Sequence, residues 1–292
     1  MEPGLDPAVV AIKHWFEAAV AAAEPAAAVR RHLLREGRTL VVSGRGVPVT
    51  GRMVLAAVGK AAVAMACGAA EAAGELVTEG IVVTKDGLVA DRLTPGIRVF
   101  EASHPVPDER GVRATREALA MVRRLSRGDV LLALISGGGS ALLEAPRPPV
   151  TLAEMAATTD LLLRAGAPIE DLNAVRTPLS LVKGGGLRRA AGDAVVVTLI
   201  LSDVLGNDPR VIASGPTIPA VPDAERALAV LGRYGLLESV PRGVVEVLTA
   251  AKRPTDSHDA GGDVVTVVGD NAAAVDAARR ATIADHRRPS VV

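Results

Sequence analysis

Four polar segments of this chain each follow an apolar run, and each carries residues able to handle a small anion. Lys60 stands in "GKAA" after "MVLAAV" (53–58). Gly137, Gly138, Gly139 and Ser140 form "SGGGSA" after "VLLALIS" (130–136). Asp203 and Asp208 lie in "SDVLGNDP" after "AVVVTLILS" (194–202), and Asp270 and Asn271 follow "VVTVVG" (264–269). Successive glycines expose backbone N–H groups that can nest an anion, and a helix reading from Ser140 would add its positive end. A lysine brings a point charge for phosphate, and an aspartate after a strand can hold Mg²⁺ or take a proton. Each also has a plain structural reading: a tight corner, an exposed lysine, a carboxylate capping the next turn.

Other motifs narrow the choice. The Walker pattern fails because no lysine follows the glycines, and Leu142 stands where a dinucleotide fingerprint or a nucleophile elbow needs glycine. "LVKGGGL" places Lys183 before three more glycines, consistent with a helix end or a second phosphate contact. His104 in "ASHPVP" is held extended by the proline after it, and reads as a packing or hydrogen-bonding residue. Cys67 is the only cysteine and lies in the apolar stretch "AAVAMACGAA", so it reads as a buried thiol rather than half of a disulfide.

The elements that must position these residues alternate. Runs at 39–43, 53–58, 80–84, 97–102, 130–136 and 194–202 are continuously apolar, which suits strands covered on both faces. Helical stretches separate them, the clearest at 108–126, where Asp108 is a good N-cap. Residues 7–35 read as one or two helices, with a break at Pro25. The alternation predicts an α/β fold with a doubly wound, mostly parallel, Rossmann-like sheet, in which ligands gather outside the carboxyl ends of strands. "KRPTDSHDAGGD" (252–263) reads as a linker between an N-terminal domain (1–251) and the start of a smaller α/β domain (264–292). That start holds a strand at 264–269, a helix from Asn271 to about Asp285, and half of another strand, "PSVV".

Composition removes several classes of function. Lys+Arg and Asp+Glu balance at 33 each, so no basic field points to nucleic acid or an acidic membrane. Trp15, Phe16, Phe100 and Tyr234 are all the aromatic residues, too few for a base-stacking surface. No basic leader precedes an apolar block and no apolar run is long enough to span a bilayer, which predicts a soluble, cytoplasmic protein.

Taken together, "GKAAVAMA" (59–66), "SHPVPDERG" (103–111), "ISGGGSALLEAP" (135–146), "LNAVRTPLSLVKGGGL" (172–187) and "LILSDVLGNDPRVIASGPT" (199–217) resemble the bacterial and archaeal glycerate 2-kinase family, some of whose members carry the name hydroxypyruvate reductase. The resemblance runs in order from about residue 8 to the last residue. It implies an α/β N-terminal domain, a smaller C-terminal MOFRL domain, and transfer of the γ-phosphoryl of ATP to the 2-hydroxyl of D-glycerate with Mg²⁺. On that likeness Lys60 would meet phosphate or transition-state charge, and Gly137 to Ser140 would hold phosphate or the glycerate carboxylate. Asp203 would bind Mg²⁺ or activate the hydroxyl, with Arg176, Lys183, Asp208 and Asn271 as further substrate or phosphate contacts.

The chain departs from the family pattern in three places. Thr177-Pro178 replaces a basic residue and a histidine after "VR", and Asp86 and Leu88 in "TKDGL" replace a tyrosine and a histidine. The family's C-terminal Gly-Gly-Arg-Asn-Gln-Glu stretch has no counterpart, so the sequence reads as a truncated, split or fragmentary kinase. Three outcomes stay open on sequence alone: a kinase scaffold, an NAD(P)H-dependent hydroxypyruvate reductase, and a non-catalytic remnant. The last could self-associate as a homodimer or pair with a missing C-terminal half.

Overall fold

The computed structural model describes residues 6–88, 93–250 and 262–285. The chain opens with helices α1 (Pro7–Ala22) and α2 (Pro25–His32), each started by a proline at its first position, where no intrahelical N–H is needed. Three short strands follow: β1 (Leu33–Glu36), β2 (Thr39–Val42) and β3 (Arg45–Pro48). They form a separate antiparallel sheet. The run at 39–43 is therefore a meander strand rather than part of the parallel sheet. Its turns fall at Gly37 and Gly44, both at positive φ, too close together for a crossover helix.

The main sheet alternates with helices as the periodicity predicts. Its strands are β4 (Met53–Val58), β5 (Val77–Lys85), β6 (Ile97–Ala102), β7 (Val130–Ser136), β8 (Val195–Leu201) and β9 (Val264–Gly269). Helix α3 (Ala62–Ala73) links β4 to β5, and α4 (Glu109–Val122) links β6 to β7. Asp108 caps α4 through the Gly111 amide at 3.0 Å. Between β7 and β8 the chain makes the single turn α5 (Gly139–Leu142), then α6 (Leu152–Arg164), α7 (Ile169–Arg176) and α8 (Gly186–Ala190). After β8 come α9 (Ala224–Arg233), α10 (Arg242–Ala250) and, following β9, α11 (Asn271–Ala284).

All six strands are parallel, in the spatial order β6-β5-β4-β7-β8-β9. This is the doubly wound order, with its switch point between β4 and β7, where a crevice opens beyond the strand ends. Alternate residues feed two buried layers. Leu55, Ala57, Leu132, Leu134, Val197 and Leu199 face the α2–α3 side. Val54, Ala56, Leu131, Ala133, Val196 and Ile200 face the α4–α8 side. Burial on both faces is why these strands read as unbroken apolar runs. Helices α6, α7, α9 and α10 pack into a third core of their own around Leu162, Val175, Val230 and Val244.

One expectation about domain organisation is revised. The segment at 264–269 hydrogen-bonds to β8 from Val197↔Val264 to Leu201↔Gly269, as the sixth strand of the main sheet rather than the first of another. Helix α11 packs against α1, where Trp15 Nε1 donates to Asp285 at 2.8 Å. Most of the 252–263 linker, and "PSVV" at 289–292, lie outside the described residues. Among the described residues no helix is long and apolar enough to cross a membrane.

Candidate active site

The strand registers bring four chain segments to one rim. Val58 lies beside Ile135, Ser136 beside Leu201, and Leu201 beside Gly269. Lys60, Gly137, Asp203 and Asp270 therefore follow neighbouring strand ends. Backbone bonds stitch the first two loops together. Lys60 N donates to Gly137 O at 2.9 Å, and Ala61 N donates to Ser136 Oγ at 3.1 Å. Ser136 Oγ in turn donates to Val58 O at 3.2 Å. A side chain of β7 thus caps the approach to α3, whose own cap residue, Ala61, has no side-chain acceptor.

Lys60 Nζ stands 3.8 Å from Asp203 Oδ2, both side chains about half exposed (48% and 54%). An exposed pair at that distance contributes only about 0–1 kcal/mol to folding, so both groups are free to meet a ligand. They line a cavity of about 460 Å³ together with Ser136, Gly137, Asp270 and Asn271. Asp270 caps α11 through the Ala273 amide at 2.8 Å and accepts a bond from Asn207 Nδ2. Here two carboxylates outnumber one ammonium, an arrangement that would repel a bare phosphate and suits one that arrives with a divalent cation. Among the described residues no group of three or more His, Cys, Asp or Glu could hold a metal unaided. A Mg²⁺ at Asp203 would then need phosphate oxygens and waters for the rest of its shell, its usual habit.

The glycine turn is shaped by its neighbours. A Cβ on Gly137 would fall 1.9 Å from Asp203 Oδ2, so only glycine lets the carboxylate lie against the turn. Gly138 sits at φ +85°, and a Cβ there would meet the His104 ring at 3.0 Å and Lys60 Cγ at 3.3 Å. The helix expected to open at Ser140 is the single turn α5, so its dipole adds little, and the amides of the turn would have to supply any attraction. Opposite it, Ala213 and Ser214 hold left-handed backbone at φ 51° and 61°, costly for residues with a Cβ and typical of functional sites. Ser214 Oγ and Ser140 Oγ are 2.8 Å apart.

Lys183 does not reach the open cavity. It is buried, with Nζ 2.7 Å from Ser140 O, 3.3 Å from Ser140 Oγ and 3.1 Å from Glu144 Oε2. Burial pushes its pKa down, and Arg176 adds to that, while Glu144 opposes both. Three acceptors around one nitrogen match the three donors of an ammonium, so we read Lys183 as a charged strut under the turn rather than a base for Ser140. Ser180 Oγ and the Ala145 amide both donate to Glu144 Oε1, at 2.7 and 3.0 Å, and leave the buried Oε2 to its ion pairs alone.

The remaining expected residues divide. Asn271 lies on the Lys60 cavity. Asp208 lines a separate cavity, held by Arg210, whose guanidinium and amide keep its carboxyl below the usual range. Arg176 ends α7 and lines a third cavity. The helix stops there, with Thr177 at its C-cap and Pro178 beyond it. Asp86 accepts a two-pronged bond from Arg110 at 2.6 and 2.9 Å. His104, expected to pack or hydrogen-bond, lies with its ring against Gly138. The sequence passes over Glu144, for which the one available signal was a lone acid inside the apolar stretch "ALLEAP".

Comparison with known proteins bears on the family and the fold. A family described as "Domain of unknown function (DUF4147)" matches residues 11–249. Glycerate kinase of Rattus norvegicus is 39% identical over 283 residues, 92% of this chain and 54% of the relative. D-glycerate 2-kinase of Thermotoga maritima is 46% identical over 197 residues, 67% of this chain and 47% of the relative. A crystal structure of glycerate kinase from Thermotoga maritima superimposes with a TM-score of 0.79 at 35% identity, covering 94% of this chain and 62% of that one. The chain spans about half the length of the curated relatives it matches. A match over most of its length, on the same doubly wound sheet, means that this chain belongs to the DUF4147 family, among relatives that are glycerate kinases.

Proposed function

We propose that the rim around Lys60, Gly137 and Asp203 is the phosphate-handling side of an ATP-dependent D-glycerate 2-kinase. The observation that carries this reading is the meeting of three independent strand ends on one cavity: an ammonium, a glycine turn and a carboxylate. Phosphoryl transfer asks mainly for positioning and charge neutralisation, which such a set can provide. Lys60 would offset charge on the transferred group, and the amides of Gly138 and Gly139 would cradle its oxygens. Asp203 would hold Mg²⁺ or draw the proton from the acceptor hydroxyl. The Mg²⁺, bound with the nucleotide, would supply the charge that two carboxylates and one lysine lack.

Because the chain matches only about half of each relative, the test separates binding from turnover. Mg²⁺·ATP binding is measured by calorimetry. ADP release with D-glycerate is then followed with and without the remaining segment of a relative supplied in trans. The expected result is nucleotide binding that Lys60→Ala weakens about tenfold or more, and glycerate-dependent ADP release in the supplemented reaction. Absence of nucleotide binding, or of turnover in the supplemented reaction, rejects the proposal.

A further inference from the structure

Helix α1 is inverted for a helix on the surface of a compact fold. Its half-buried residues include Ala11, Ala18 and Ala22, on the side that meets α11, where Trp15 alone is large. Its other large apolar side chains face water. Val9, Ile12, Phe16 and Val20 are 47%, 59%, 67% and 55% exposed, and no residue of α1 is fully buried. Spacings of three and four residues place these four on one stripe of the helix. Phe16 is one of only two phenylalanines in the chain. A surface helix ordinarily turns such a stripe inward, because apolar burial is what holds it in place, and a contiguous exposed patch marks a surface that meets a partner.

The stripe reads nearly alike from either end. Val9 and Val20 close it, and a larger side chain, Ile12 or Phe16, stands next to each. Laid antiparallel on a second copy, Val9 meets Val20 and Ile12 meets Phe16, so one register fills the whole stripe. Within one residue of that register the charges agree as well. Lys13 and Glu17 lie on the same flank of the stripe, and a two-fold axis sets each opposite the other in the second copy. Inside one helix they stand 4.0 Å apart and about 60% exposed, a loose pair that leaves both available to a partner.

We propose that α1 is the contact surface of a two-fold homodimer, in which the apolar stripe of one copy packs antiparallel on the same stripe of another. The apolar residues supply the attraction, and Lys13 and Glu17 fix the register. A lipid surface fits less well: α1 carries one lysine, one histidine and one glutamate, with no basic face to meet anionic headgroups. None of the four stripe residues lines the Lys60 cavity, so the dimer does not depend on the kinase reading.

Sedimentation equilibrium of the chain, at concentrations up to about 100 µM, provides the test. A monomer–dimer equilibrium is expected, and Phe16→Ser should weaken it about tenfold or more. Lys13→Glu and Glu17→Lys should each weaken it as well, because each sets like charges against each other across the two-fold axis. Mixed in equal amounts, these two charge variants should associate about tenfold more tightly than either does alone, since opposite charges then meet at both crossings. Each copy in the mixture still carries like charges within its own α1, so mixing would not repair a loss that came only from a weakened helix. A chain that stays monomeric, charge variants that dimerise like the parent, or a mixture no tighter than its components would overturn the dimer. So would a monomeric chain whose Phe16 is needed instead to bind anionic lipid vesicles or the remaining segment of a relative.

Discussion

At the scale of single residues, the contact between Gly137 and Asp203 gives a sharp expectation. A methyl group at residue 137 must push the Asp203 carboxylate aside, since it would lie 1.9 Å from Oδ2. Gly137→Ala should therefore lower turnover about as much as Asp203→Ala. In a double-mutant cycle the two losses should not add, because each removes the same carboxylate from the same place. Steady-state kinetics of the two single variants and the double variant would check this. Lys183→Met is expected to act differently. It leaves Glu144 buried with only Arg176 nearby, so we expect a cost of about 3–5 kcal/mol in urea unfolding along with any loss of activity. The residue types at the rim were legible in the sequence because each follows an apolar run. Lys183 was legible as a residue but not in its role: nothing in "LVKGGGL" says that its side chain turns inward to an acid 39 positions earlier.

At the scale of elements, the decisive arrangement is the switch point. β4 and β7 are neighbours although β5 and β6 lie between them in the chain, so the loops after them can share hydrogen bonds. Ser136 makes that junction explicit by serving both Ala61 N and Val58 O. Ser136→Ala leaves an amide and a carbonyl short of a partner, and should cost about 1–2 kcal/mol by thermal or chemical unfolding. β4, β7 and β8, buried on both faces, announced themselves as continuous apolar runs, whereas the edge strands β6 and β9 are partly exposed and were legible only as β-rich runs. The three-stranded meander did not announce itself in the same way. β1 and β3 are short and largely exposed, "LLRE" and "RGVP", and their pairing with β2 depends on turns that periodicity does not report. The role of β9 was missed for another reason. A polar, turn-rich stretch before a strand looks the same whether the chain leaves a domain or returns to its edge.

At the scale of the whole molecule, a stabilising carboxylate and the proposed site sit at opposite ends of the sheet. Beyond the start of β7, buried Asp129 accepts from the Arg52 amide at 2.6 Å and the Ser126 amide at 2.9 Å. Burial alone would raise its pKa, but these amides, with the Ser126 hydroxyl and Arg52, outweigh it and hold the carboxyl below its ordinary value. A depressed carboxyl stabilises the fold above its unfolded pKa of about 4, and that contribution is lost as pH falls through the folded value. Unfolding midpoints should therefore fall below about pH 4. Asp129→Asn should be less stable at neutral pH by about 1–3 kcal/mol and show a shallower acid decline.

The packing of α1 on α11 carries its own consequence. The first and last helices described are joined by Trp15 and Asp285, and Trp15 is the sole tryptophan of the chain. Indole emission is thus a built-in optical reporter of one event, the closing of this clasp. During synthesis α1 must wait, unseated, for a helix made some 250 residues later, and the colour of that one ring would time its arrival.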